Sequence, residues 1–184
     1  MSEFVGSPGP VGRVVVVVGN PKVGSRTTVA GRTAATAIVP SAAVSTVEVA
    51  ELAAGLFAWG DPTVAAAKAT VLEADLLVVA TPVYKASYTG LLKSFLDQFG
   101  RDELRALATV PLMVGAAPLH NLAVEEQLRP VLVEIGASCP TRGIYVLESA
   151  IEAGELETQL AEWARLWGPA LLAVAGARAT VGAG

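Results

Sequence analysis

The segment Leu76–Phe99 constrains the fold more than any other part of the sequence. It opens with an apolar run, Leu76–Ala80, which is short and β-branched enough to form a buried strand. Thr81-Pro82 is expected to end that strand, because proline has no N–H to donate to a sheet. From Gly90 to Phe99 the apolar residues take a helical spacing. The segment therefore predicts a strand, a polar loop and a helix, in that order.

The rest of the chain repeats this alternation of strands and helices. Strands are predicted at 14–18, 44–52, 74–80, 109–115 and 142–147, and helices at 27–38, 62–72, 90–99, 124–135 and 155–167. Pro130 is expected to kink its helix or to mark a local irregularity, and Gly168-Pro169 is expected to end the last helix. Such an alternation is typical of a parallel sheet with helices on both faces. For five strands, the common order is 2-1-3-4-5.

Length and composition limit the classes of protein that this chain can be. Its 184 residues predict one domain over residues 13–174, between flexible tails at 1–12 and 175–184. The formal charge of −4 and the lack of a basic stripe speak against nucleic-acid binding. No apolar run approaches the roughly 20 residues of a membrane span. The single cysteine, Cys139, excludes an internal disulfide, so a cytoplasmic location is expected.

A first polar loop, Gly19–Thr28, follows the first predicted strand. Its glycines and hydroxyl residues precede a helix, whose free N–H groups and dipole suit a phosphate, and Arg26 adds a positive charge. The alternative is a capped turn that binds nothing. The loop is not an ATPase loop, because Ser25-Arg26 stands where that motif needs lysine followed by serine or threonine.

A second polar loop, Thr81–Gly90, follows the third predicted strand and contains two tyrosines and a lysine. In the order 2-1-3-4-5, the ends of strands 1 and 3 flank the crevice where such sheets bind ligands. A third loop, Gly115–Ala117, carries small side chains that let backbone N–H groups approach a ligand. A phosphate loop and a surface for a flat ring together predict FMN as the cofactor.

Three motifs also carry a family resemblance. GNPKVGSRTT, TPVYKASYTGLLKSFLD and GAAPLHNLAVEEQLRP resemble segments of the NAD(P)H-dependent FMN reductases, particularly the reductase components of two-component alkanesulfonate-type monooxygenases. The resemblance covers about residues 13–147 and implies a flavodoxin-like three-layer sandwich. Some members carry a tyrosine at a bulge in the helix after the third loop, where this chain has Glu126.

The resemblance implies which residues bind the cofactor, and it implies no catalytic side chain and no metal. Residues of the first loop match the family's phosphate loop, those of the second lie along the ribityl chain and ring, and those of the third lie at the pyrimidine edge. The implied cofactor-binding residues are Asn20, Ser25, Arg26, Thr27, Pro82, Val83, Tyr84, Lys85, Gly115, Ala116 and Ala117. Ala116-Ala117 replaces a Gly-Thr pair of the family.

The implied reaction is hydride transfer from NADH or NADPH to flavin N5, with reduced FMN passing to a partner monooxygenase. The cofactor carries this chemistry, so a helix-start or packing role, rather than proton transfer, is expected for His120, the only histidine. Two alternatives stay open: a quinone or azo reductase with permanently bound FMN, and a non-catalytic flavodoxin-like electron carrier. A homodimer or homotetramer is expected.

Overall fold

The computed structural model describes residues 11–181, and the side chains of residues 11–177. Five parallel strands form one sheet in the order β2-β1-β3-β4-β5, which confirms the predicted flavodoxin-like topology. The strands are β1 (Arg13–Val18), β2 (Ala43–Glu48), β3 (Leu76–Pro82), β4 (Ala108–Gly115) and β5 (Ile144–Leu147).

Helices cover both faces of the sheet. They are α1 (Arg26–Ile38), α2 (Pro62–Leu72), α3 (Gly90–Leu96), α4 (Arg129–Glu134), α5 (Glu148–Glu152) and α6 (Leu156–Val181). The core has two clusters: α1 and α6 pack on one face of the sheet, and α2, α3 and α4 on the other. Val15 and Val17 of β1 point into one cluster and Val16 into the other. A strand buried on both faces has no polar side to display, which explains the unbroken valine run.

Two predicted elements end earlier than expected. β2 stops at Glu48, and Val49–Leu52 forms a 3-10 turn that buries Val49 and Leu52. The helix α3 stops at Leu96 rather than at Phe99. The N–H of Phe99 bonds to the carbonyl of Leu96, an i→i−3 bond that tightens the chain into a turn while the ring stays buried. The helical spacing of apolar residues in the sequence therefore continues for three residues beyond the last residue of α3.

Two elements continue through a proline that was expected to stop them. β3 includes Pro82, which pairs with Val114 in the parallel register, because the ladder there needs no N–H from residue 82. The helix α6 passes Pro169 and reaches Val181, where an end at Trp167 had been predicted. Leu171 lies beyond the proline and is fully buried, so packing against the sheet outweighs the loss of one helical hydrogen bond.

The irregularity predicted at Pro130 is present as a change of helix type. Residues Val124–Leu128 form a π-helical segment, and α4 follows with Pro130 in its first turn. Leu128, directly before α4, is itself helical, so the chain passes from the π-helical segment into α4 without a break. Pro130 contributes no N–H at this junction. Glu126 lies in the π-helical segment and is exposed.

The predicted tails lie mostly outside the described residues, which exclude 1–10 and 182–184. Residues 175–181 continue α6, and the flexibility of both tails stays a prediction. Within residues 11–181, no helix combines the length and the apolar character that crossing a bilayer requires.

Thr89 joins the first and second loops. Its hydroxyl donates to the carbonyl oxygen of Gly19 at 2.6 Å and accepts from the N–H of Leu92 at 3.1 Å, so it also caps α3. The N–H of Gly19 donates to the carbonyl of Ala80 at 2.8 Å. A β-carbon on Gly19 would lie 2.4 Å from Cβ of Leu92. Only glycine therefore lets the first loop approach α3 this closely.

We predict that Gly19→Ala costs about 1–3 kcal/mol of unfolding free energy, because the clash involves atoms that are fixed to the backbone. Urea denaturation measures the loss. The matched control is Gly90→Ala, where a β-carbon would meet nothing within 4 Å and alanine favours the helix by up to about 1 kcal/mol. Equal effects of the two substitutions would contradict this account.

Candidate functional site

The carboxyl ends of β1 and β3 lie side by side, since Val18 pairs with Ala80 in the parallel register. The first and second loops leave the sheet from these two ends. Their predicted convergence at the switch point of the sheet is therefore confirmed. β4 ends next to β3 and places the third loop beside the second.

Ser25 in the first loop caps α1. Its hydroxyl accepts from the N–H of Thr28 at 3.3 Å, and the Thr28 hydroxyl accepts from the N–H of Ser25 at 3.0 Å. Within the part of the chain that the structure describes, the N–H groups of Arg26 and Thr27 donate to no protein acceptor. Two free donors at a helix N-terminus are suited to an anion.

Asn20 shapes the rest of the first loop. Its amide nitrogen donates to Oγ1 of Thr27 at 2.9 Å, and its amide oxygen accepts from the N–H of Lys22 at 2.9 Å. Gly24 has φ of +63°, a left-handed conformation that glycine adopts without strain. Asn20 therefore folds the loop, and the Thr27 hydroxyl keeps its own hydrogen for a further partner.

The two cations of the first loop have different surroundings. Arg26 pairs with Glu148 of α5 at 3.3 Å and also with Glu152. Lys22 is exposed and forms no ion pair with any described residue. Lys22 is thus the cation of this loop that is free for a ligand.

Glu48, the last residue of β2, also contacts the first loop. Its Oε1 accepts from the N–H of Gly24 at 3.2 Å and from the hydroxyl of Thr28 at 2.8 Å. Its Oε2 is buried without a hydrogen-bond partner in the described structure. A negative charge therefore lies directly against the loop.

A tight turn forms the tip of the second loop. Tyr84 and Ser87 exchange backbone hydrogen bonds at 2.8 and 3.0 Å. The two residues between them, Lys85 and Ala86, have φ of +52° and +62°. Both central residues are left-handed, as in a type I′ turn, which usually holds glycine, asparagine or aspartate. Backbone strain of this kind clusters at ligand clamps and active sites.

Tyr145 of β5 supports the third loop. Its hydroxyl donates to the carbonyl oxygen of Ala117 at 2.6 Å, and a β-carbon on Gly115 would lie 2.0 Å from that hydroxyl oxygen. Burial, and to a lesser degree the charge of Glu148, raises the pKa of Tyr145 above its ordinary value. The phenol therefore stays protonated at neutral pH and keeps donating to the loop.

A crevice of about 370 Å³ lies between the second and third loops. It is lined by Val83, Lys85, Ala86, Ala116, Ala117 and His120. Four of these residues are among those predicted to bind the cofactor. Pro82 is buried at the end of β3, and the Tyr84 side chain is 52% exposed. Small apolar walls of this kind suit a flat ring.

A larger groove of about 580 Å³ lies between β5, the π-helical segment and α6. Trp163 and Trp167 line it, and Trp167 is 38% exposed. None of the residues predicted to bind the cofactor lines this groove. This groove is larger than the crevice, but the three loops at the ends of β1, β3 and β4 do not line it. We therefore do not assign it as the cofactor site.

Glu125 and Arg129 fasten the π-helical segment to the start of β5. Arg129 donates to Glu125 and to the carbonyls of Cys139 and Thr141, both at 2.6 Å, while Glu125 accepts from the N–H of Gly143 at 2.7 Å. Burial by itself raises the pKa of Glu125. The bonds from Arg129 and Gly143 outweigh that effect and hold the pKa below its ordinary 4.5. Burial raises the pKa of the Cys139 thiol to about 11.

The family model described as NADPH-dependent FMN reductase matches residues 12–152. The chain belongs to this family. The match includes the first, second and third loops and ends with Glu152 of α5. The family recognised from the three motifs is thereby confirmed.

Several curated relatives, among them the following two, match a segment of this FMN reductase family member. FMN reductase (NADPH) of Escherichia coli is 40% identical over 79 residues, which are 43% of this chain and 41% of the relative. NADH-dependent FMN reductase SfnF of Pseudomonas putida is 37% identical over 84 residues, which are 46% of this chain and 45% of the relative. The matches span less than half the length of these relatives.

Solved structures match over most of the fold, and one of them is a flavin oxidoreductase. It is the apo form of NADH:FMN oxidoreductase (EMOB), with 29% identity and a TM-score of 0.76, covering 85% of this chain and 88% of that chain. The similarity extends over the sheet and helices described above. The flavodoxin-like fold of the family is therefore present here.

The structure adds residues that the motifs did not indicate as part of the site. Thr89 joins two loops, Tyr145 supports the third, and His120 and Ala86 line the crevice. Thr89 could have been found, because a threonine directly before a helical run is a common cap. Tyr145 had no such signal, since its contact crosses from β5 to another loop.

We predict that Ala86→Gly raises the unfolding free energy by about 1 kcal/mol, because glycine adopts a positive φ without the left-handed penalty. Urea denaturation measures the gain. The control is Ala116→Gly on the same crevice, outside the left-handed region, where glycine lowers stability by about 0.4–1 kcal/mol through the unfolded state. A loss of stability in both variants would contradict the inference that the backbone of Ala86 is strained.

We also predict that acid weakens the fold partly through Glu125. Its folded pKa is lowered, so its contribution to stability is present above pH 4.5 and is lost as pH falls through the folded pKa. Glu125→Gln should lower the unfolding free energy at pH 7 and flatten its fall between about pH 5 and 3. Glu126→Gln, on an exposed neighbour, is the control and should keep the wild-type slope in chemical denaturation across this pH range.

Proposed function

We propose that this protein is an NAD(P)H-dependent FMN reductase, which transfers hydride from the nicotinamide to flavin N5. The observation that carries the proposal is the pairing of a free helix N-terminus with a small-walled crevice at the switch point of the sheet. Family membership supports the same activity. The FMN phosphate would bind at the start of α1, and the flavin ring would bind in the crevice between the second and third loops.

The first loop would hold the FMN phosphate. The N–H groups of Arg26 and Thr27 are free to donate to it, and the Thr27 hydroxyl keeps a hydrogen to donate. Ser25 holds the helix start in shape and Asn20 holds the loop in shape. Lys22, which forms no ion pair with the described residues, adds positive charge.

The second and third loops would hold the ribityl chain and the ring. Val83 and Lys85 of the second loop and Ala116 and Ala117 of the third line the crevice. Pro82, Tyr84 and Gly115 are their neighbours in the chain and are proposed to contribute to the same site. Bound FMN accepts a hydride and supplies the redox chemistry. The residues of this chain bind the ring, orient it and exclude water. No side chain is assigned as a proton donor or acceptor.

Either nicotinamide is a candidate for the hydride donor. One curated relative is named as NADPH-dependent and another as NADH-dependent. Arg105 and Arg142 are exposed arginines outside the loops, and neither contributes to the crevice lining. We therefore propose NAD(P)H and test both forms.

We extend the proposal to a partner monooxygenase that receives reduced FMN, and to a homo-oligomer. The motif resemblance to reductase components of two-component systems supports the first. Leu119 and Leu122 follow the third loop and are 75% and 54% exposed. Exposed apolar side chains are typical of protein–protein contacts. Their position beside the crevice therefore supports a contact with another protein, or with a second copy of this chain, on this side of the molecule.

The decisive experiment measures NADH and NADPH consumption by desalted protein, with and without added FMN. Oxidation that rises and saturates with FMN is expected. A protein that stays yellow after desalting and reduces quinones faster than free FMN would instead indicate a quinone or azo reductase. Bound flavin without NAD(P)H turnover would indicate an electron carrier, and no turnover in any condition would refute the reductase.

We predict that Lys22→Gln raises the KM for FMN by about three- to tenfold, because a charged contact to the phosphate is lost. The KM for riboflavin, which has no phosphate, should not change. Lys93→Gln is the matched control, because Lys93 of α3 already pairs with Asp97, the residue that follows this helix. Equal effects on FMN and riboflavin would show that Lys22 does not act through the phosphate.

A further inference from the structure

Arg26 is held by two carboxylates from α5, the short helix that follows β5. Glu148 and Glu152 are one helical turn apart on α5, so both carboxylates lie on the same side of that helix. Glu148 Oε2 lies 3.3 Å from Nη2 of Arg26, and Glu152 pairs with Nη1. The Arg26 side chain is 48% exposed. The guanidinium is therefore engaged with protein acids while it stays accessible to solvent.

The formally charged side chains around the first loop oppose the attraction that its free N–H groups have for an anion. Lys22 and Arg26 are its two cations, whereas Glu48, Glu148 and Glu152 contact the loop or its arginine. Three carboxylates thus face two cations. The backbone N–H groups at the start of α1 attract a phosphate, and the excess of carboxylates weakens that attraction, because like charges repel the ligand.

We propose that Glu148 and Glu152 compete with the FMN phosphate for Arg26 and so keep the flavin exchangeable. This inference rests on the proposed FMN reductase function. When FMN is absent, the two carboxylates satisfy the guanidinium. A phosphate on the free N–H groups of Arg26 and Thr27 lies at the same helix start as the Arg26 side chain, and a phosphate that pairs with this guanidinium replaces these ion pairs or shares the arginine with them, which lowers the affinity for FMN. The flavin is then a substrate that leaves after reduction, rather than a resident cofactor.

The competition acts only on the phosphate end of the ligand. Riboflavin has the same ring and no phosphate, so its affinity should not depend on Glu148 and Glu152. Exposed ion pairs are individually weak, so we expect removal of both acids to tighten FMN binding by roughly three- to tenfold. A free Arg26 also makes FMN binding more sensitive to salt, since one more exposed charge takes part.

The test compares the Glu148→Gln/Glu152→Gln variant with the wild type. Quenching of flavin fluorescence gives Kd for FMN and for riboflavin at low and high salt. Tighter FMN binding with unchanged riboflavin binding supports the proposal. Unchanged or weaker FMN binding overturns it, since the acids would then have no effect on the arginine or would orient it for the phosphate.

Two further variants separate competition for Arg26 from a general change in charge. Glu134→Gln/Glu162→Gln removes the same charge from exposed positions on α4 and α6, and it should leave FMN affinity unchanged. In an Arg26→Gln background, removal of Glu148 and Glu152 should have a much smaller effect on FMN affinity. A full effect without Arg26, or an equal effect of the control, overturns the proposal.

The result also separates this inference from the proposed function. If the wild type binds neither FMN nor riboflavin and oxidises no NAD(P)H, the reductase function fails. If the wild type is an active reductase and the Glu148→Gln/Glu152→Gln variant binds FMN with the same affinity, only the proposed competition for Arg26 is refuted. Thermal melting of every variant confirms that the fold is intact before binding is measured.

Discussion

The hydrogen bond from Thr89 to the carbonyl of Gly19 is the interaction on which the site depends. It crosses from α3 to the end of β1 and fixes the distance between the first and second loops. Both partners are buried, so breaking the bond would leave a polar group unsatisfied in the core. Gly19 has to lack a side chain for the same approach. The geometry of the switch point is therefore set by one hydroxyl and one missing β-carbon.

The fold separates two kinds of recognition. The first loop offers charges and helix N–H groups, whereas the crevice offers small apolar walls. These surfaces come from different strands, and only the sheet connects them. If the first loop holds the phosphate as proposed, carboxylates on β2 and α5 act mainly on that end of the ligand, whereas the crevice walls act on the ring end.

The sequence predicted the strand order and the convergence of the two loops, because apolar runs and helical stripes are local signals. It failed where packing overrides local preference. α6 continues through Pro169 because Leu171 beyond it is buried. In the site, crevice residues such as Val83 and Ala117 follow from the motifs. The pairing of Arg26 with Glu148 could not be predicted, since the two residues meet only in the folded chain.

The side chain of Tyr145 fills the space in which a side chain at position 115 would lie. The phenol ring lies where any β-carbon at position 115 would have to be, and its hydroxyl is bonded to the third loop. The two positions cannot vary independently: a side chain at 115 requires a smaller residue at 145. That smaller residue would also release the Ala117 carbonyl. The edge strand of the sheet thereby limits which sequences can form the third loop of this fold.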